Sequence, residues 1–98
     1  MIKNFIAYDL ARELYAQCTP IKASRHVKDQ LDRATLSVVL NLAEGSGKPT
    51  PAEKQRFYSI AFGSLRETQA LLQITQQPEA QATAHRLGGM IYGLIRKR

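Results

Sequence analysis

Ser37-Val38-Val39-Leu40-Asn41-Leu42-Ala43-Glu44-Gly45-Ser46-Gly47-Lys48, continuing through Pro49-Thr50-Pro51-Ala52-Glu53, is the stretch that decides the fold of this chain. It holds the end of an apolar helix, a glycine, a short turn and the start of another helix. Gly45 is expected to stop the first helix, because glycine takes the left-handed C′ conformation without a steric penalty. Thr50 then reads as an N-cap, Pro51 as the first helical residue and Glu53 as the partner in a capping box. The glycines also suggest a phosphate loop, but that reading fails. The first glycine of the pattern would fall at Leu42, Pro49 takes the Ser/Thr place after Lys48, and a helix rather than a strand precedes it.

Upstream, the periodicity predicts a helix from about Ser24 to Glu44. Val27, Leu31, Ala34, Val38 and Leu42 form one apolar stripe, and Leu36, Val39, Leu40 and Ala43 form a second, roughly opposed one. A helix that is apolar on two faces is covered on both, so assembly with other copies is the economical reading. Between the stripes runs a polar row of Gln30, Arg33, Ser37, Asn41 and Glu44. A row flanked by two packed faces must find hydrogen-bond partners, and the next helix is expected to supply them.

Downstream, a third helix is expected from Pro51 to about Thr75, with a core face of Phe57, Ile60, Ala61, Ser64, Leu65, Thr68, Leu71 and Leu72. Tyr58 and Phe62 widen it, again beyond what one bundle needs. Leu36, Val39, Leu40, Tyr58 and Phe62 are therefore the expected contacts between subunits. Gly63-Ser64 in mid-helix suggests a closely approaching backbone. A first helix is read over Phe5 to Cys18, with a stripe of Ile6, Leu10, Ala11, Leu14 and Tyr15, ended by Thr19-Pro20. The fourth opens at Pro78-Glu79 and carries Ala80, Ala84, Leu87, Ile91 and Leu94. Gly89 and Gly93 would allow tight helix contact there.

The 98 residues form one domain, 1–98, in the all-α class, and short connections favour an antiparallel up-down-up-down four-helix bundle. No run is long and apolar enough to span a bilayer, and the N-terminus lacks the features of a signal peptide, so no membrane partner is expected. Cys18 is the sole cysteine, which excludes an intrachain disulfide and a cysteine zinc site, and suits a reducing cytoplasm.

Chemistry is sparse. His26 and His85 lack companions at metal spacing, so no metal or cofactor is expected. Glu44 and Glu67 could meet across helices, yet Arg33, Arg56 and Arg66 would pair with them, and no enzyme is read from them. Charge is more informative. The chain carries +6. The bundle topology would gather Lys3, Lys48, Lys54, Arg56, Arg96, Lys97 and Arg98 at one end, against Glu44 and Glu53. Such an end would attract a polyanion such as RNA or DNA.

Asp9-Leu10-Ala11-Arg12-Glu13-Leu14, Gln30-Leu31 with Arg33-Ala34 and Ser37, Asn41 through Lys48, and Arg56-Phe57 with Ala61 and Gly63-Ser64-Leu65-Arg66-Glu67 resemble the four-helix-bundle family of 23S rRNA intervening-sequence proteins. The likeness covers most of the chain. It implies an antiparallel bundle assembled as a barrel-like homopentamer without established enzymatic activity. The family includes accessory variability proteins of diversity-generating retroelements, which are basic, bind nucleic acid and assist a reverse transcriptase. Its signature falls on Arg33, Ser37, Asn41, Glu44, Gly45, Arg56, Ser64 and Glu67, which look like packing and network residues. The chain departs from the commoner pattern in a short first helix and connection, and in Val39-Leu40 where many relatives carry Pro-Ser.

Overall fold

A computed structural model describes residues 5–97. It contains helices α1 (Ile6–Cys18), α2 (Arg25–Ser46), α3 (Pro51–Ile74) and α4 (Pro78–Arg96), with no strand among the described residues. Each helix packs on its neighbour in the chain, and α1 closes the ring against α4. Ser37 meets Ser64 while Gly45 meets Tyr58, so α2 and α3 run antiparallel, as the short corner between them requires. The body measures 40 × 21 × 20 Å. No helix among the described residues is long and apolar enough to cross a membrane.

The corners explain why the helices begin and end where they do. Thr50 caps α3 as its sequence requires: its hydroxyl oxygen accepts from the Glu53 backbone N–H at 3.2 Å. The reciprocal half differs from the expected capping box, because the Glu53 carboxylate accepts from the Thr50 hydroxyl at 2.9 Å rather than from a backbone N–H. Ser24 caps α2 through the Val27 N–H. In both cases a lysine four residues after the cap secures the end of the helix before it. Lys28 donates to the carbonyls of Cys18 and Thr19 at 2.9 and 2.7 Å, and Lys54 to those of Ser46 and Gly45 at 3.0 and 3.5 Å. A cation at these carbonyls satisfies orphan acceptors and complements the helix dipole.

Gly45 does not stop α2. The helix runs on to Ser46, and Gly47 follows as C-cap with φ −91°, an ordinary right-handed value. Gly45 is buried inside the last turn because Tyr58 leaves no room for a side chain there. The left-handed stop occurs instead at Gln76, φ 55°, after α3. The Gln77 N–H donates to the Leu72 carbonyl and the Gln76 N–H to that of Gln73, the two bonds of a Schellman motif.

The core is a column of aliphatic side chains in which Leu14, Leu31, Leu42, Leu65, Leu72, Leu87 and Ile91 are almost fully enclosed. Burying each of these contributes about 1.5–3 kcal/mol. The buried arc of α1 is Ala7, Leu10, Ala11, Leu14 and Cys18, so Ile6 and Tyr15 of the expected stripe turn outward. On α2, Val39 joins the core with Leu31, Thr35, Val38 and Leu42, because it lies one turn beyond Thr35 on the same arc. Ile60 leaves the expected face of α3 and Tyr58 replaces it, packed under α2 and tilted against Phe5 at 6.0 Å between rings. Gly63, Gly89 and Gly93 meet no neighbour within 4 Å of a built Cβ, so they mediate no close packing inside this chain.

Candidate functional site

Two regions gather the residues singled out in the sequence: a polar seam between α2 and α3, and the bundle end where 51–58 meets the close of α4.

The seam is held by Ser37 and Ser64, whose hydroxyls are 2.7 Å apart. Asn41 donates through Nδ2 to the Ser37 carbonyl and hydroxyl at 2.9 and 3.1 Å, reinforcing α2 one turn along. Arg33 and Glu67 flank the same seam and, with Gln30, Ala34, Ser37 and Ser64, line a polar groove of about 250 Å³. Neither forms an ion pair, since the ion pairs among the described residues are Lys28–Asp32 and Lys48–Glu44. Glu44 leaves the expected network and pairs instead with Lys48, just beyond the end of α2, at 3.1 Å. It does not meet Glu67 either. The register that sets Gly45 on Tyr58 and Ser37 on Ser64 puts them roughly 15 Å apart along the helix axis. Among the described residues no cluster of His, Cys, Asp and Glu could hold a metal ion.

Of the expected subunit contacts, Val39 and Tyr58 are buried in this chain's own core and are not surface groups. Phe62 is half-buried and packs on Tyr92 of α4, on the flank of α3 away from α2. Leu36 and Leu40 remain on the surface of α2, 41% and 56% exposed, and Ile60 of α3 is 44% exposed.

At the bundle end, Pro51, Lys54, Gln55, Tyr58, Leu94 and Lys97 border one cleft of about 290 Å³. Gln55 donates to the Ile95 carbonyl and ties the start of α3 to the end of α4. Of the expected basic residues, Lys54 and Lys97 border this cleft, while Lys3 and Arg98 lie outside the described residues. The cations differ in how they are held. Lys54 is engaged by the α2 carbonyls, and Lys48 by Glu44. Lys48 and Arg56 both stand over the Phe57 ring, 5.0 and 5.7 Å from its centre, and Arg96 lies 5.6 Å from that of Tyr92.

These aromatic partners were not anticipated. Their signal is an aromatic residue four positions before an arginine, found at Tyr8–Arg12, Phe62–Arg66 and Tyr92–Arg96, which is one helical turn and places cation over ring. Cys18 is fully buried at the close of α1, and burial pushes its thiol up to about 11; Lys28 opposes that shift less strongly.

A family model described as 23S rRNA-intervening sequence protein matches residues 5–86, from the start of α1 well into α4. No match among curated proteins was found.

Proposed function

The chain belongs to the 23S rRNA-intervening sequence protein family, and from that premise we propose a non-enzymatic homo-oligomeric bundle, a pentamer by family resemblance, whose basic end binds RNA or DNA. It would act in the cytoplasm as an accessory to RNA or reverse-transcription machinery, with a reverse transcriptase as candidate partner. The observation that supports this reading is that the start of α3 meets the end of α4, where Lys54 and Lys97 border one cleft and Gln55 bonds the Ile95 carbonyl. Lys48, Arg56 and Arg96 lie within a few residues of those helix ends in the sequence, with Glu44 and Glu53 as the opposing acids. Such a charge excess attracts phosphate backbones irrespective of sequence. Lys48 and Lys54 are held by the protein itself, so Arg56, Arg96 and Lys97 are the groups assigned to phosphate. Replacing these three by glutamine should weaken RNA retention and flatten its salt dependence, by about 0.7–0.9 in log–log slope for each phosphate no longer neutralised. Unchanged affinity in the triple variant would remove the basic end as the site.

Leu36, Leu40 and Ile60 favour the companion reading, a structural or protein-adaptor oligomer without a nucleic-acid role. Native mass spectrometry separates assembly from solubility. Leu40→Asp is expected to reduce the particle to single chains with helicity retained, and a wild-type chain that is itself monomeric would end the oligomer reading.

A further inference from the structure

The α3–α4 surface carries a second set of groups, outside the polar seam and sharing Arg96 alone with the basic end. Phe62 and Tyr92 lie with ring centres 6.2 Å apart and planes tilted by 44°. Arg66 stands 6.0 Å from the Phe62 ring centre and Arg96 5.6 Å from that of Tyr92. Cation, ring, ring and cation therefore follow one another across the two helices. Tyr92 is 52% exposed, and Gly89, one turn before it, leaves bare backbone with nothing within 4 Å of a built Cβ. From Arg66 the surface continues into a groove of about 420 Å³ between Gln69, Ala70, Gln73, Gln81 and His85. None of these residues is acidic. From Gln81 to Arg96 the path is about 22 Å long along α4.

We infer that this groove binds a single nucleic-acid strand, with bases stacked on Tyr92 and the edge of Phe62 and phosphates beside Arg66 and Arg96. The inference rests on the nucleic-acid reading above and narrows it to unpaired strands. Exposed rings accept any base face, glutamine amides offer donors and acceptors to base edges, and the flanking guanidiniums neutralise the backbone. A duplex hides its base faces and cannot use the rings. The absence of carboxylates along the groove suits a polyanion better than a second copy of this chain. Tyr92 and Arg96 lie beyond residues 5–86, the part matched by the family, whereas Phe62, Arg66 and the groove lie within it.

The test measures anisotropy of labelled oligouridine on the order of 12 nucleotides, its DNA counterpart, and a duplex of equal length. Wild type should prefer the single strands. Tyr92→Ala should bind them about 5- to 100-fold more weakly with an unchanged salt slope, since a neutral ring was removed. Tyr92→Phe, which keeps the ring, should match wild type. Equal single-strand binding by Tyr92→Ala and wild type would overturn the groove and leave the basic end standing. A Tyr92→Ala variant whose particle mass falls would overturn it in favour of a subunit contact. Wild type that binds none of the probes at low salt would overturn both readings.

Discussion

The Tyr58 ring occupies the place of a Gly45 side chain: a Cβ on Gly45 would come 2.7 Å from Tyr58 Cε1 and 3.1 Å from Phe57 Cβ. The last turn of α2 and the second turn of α3 are thus fitted together by the absence of a methyl group. Gly45→Ala should be destabilising by about 1–3 kcal/mol, because overpacking outweighs the gain in helix propensity. In a Tyr58→Ala background the same change should cost less, because the closest contact is gone and the Phe57 Cβ contact at 3.1 Å remains. Urea unfolding of the four chains gives the answer, and an equal effect in both backgrounds would refute the steric account.

Ser37 and Ser64 share one hydrogen bond at a half-buried seam. Each serine-to-alanine change should lose about 0.5–1.5 kcal/mol, and the double variant should lose less than the sum. Additive losses in the thermodynamic cycle would mean that the bond contributes nothing of its own. Asn41, which donates to the same Ser37 hydroxyl, should retain its backbone bond in either variant.

Gln76 ends α3 in the left-handed region at φ 55°, where glycine is the residue without penalty. Gln76→Gly should therefore raise stability by about 0.5–1 kcal/mol, and thermal melting should shift upward. Gln76→Val, which is β-branched, should lower it. A lower melting temperature for the glycine variant would contradict the assigned turn.

The Cys18 thiol is raised by burial from its ordinary value of 9.0 to about 11. The folded state then holds the thiol proton more tightly than the unfolded chain does. Its contribution is complete below pH 9 and is lost as pH rises towards 11. Comparing urea unfolding of wild type and Cys18→Ala across this range should show the extra loss in wild type alone. Alkylation of the native thiol at about pH 8 should proceed only as fast as the chain opens.

Much of the architecture was legible because it follows from periodicity. The stripe of Leu31, Ala34, Val38 and Leu42 is buried as spaced, and Thr50-Pro51 starts α3 where it should. Ser37 does find its partner on the next helix. Glycine was the misleading signal. At Gly45 the residue answers a tertiary demand from Tyr58, while the left-handed stop falls on a glutamine that no propensity rule favours. Val39 and Tyr58 face inward where their spacing suggests a surface, because a helical wheel cannot know how wide an arc two neighbouring helices will cover. The arginine-capped rings are present in the spacing but hidden from it, since apolar patterns treat a tyrosine or phenylalanine as core alone.

Lys28 and Lys54 occupy the same station in successive corners, four residues after the caps Ser24 and Thr50, each holding the carbonyl end of the previous helix. Their donors are engaged by carbonyls of the chain itself, so fewer lysine N–H groups are left for a ligand than the residue count suggests. It also makes the fold answerable to lysine chemistry. An acetyl group on either ammonium would remove the cation and two or more of its donors together, leaving a helix end open to water. Acylation of surface lysines would change only charge, whereas at these two positions it would loosen a corner and, with it, the angle at which consecutive helices meet.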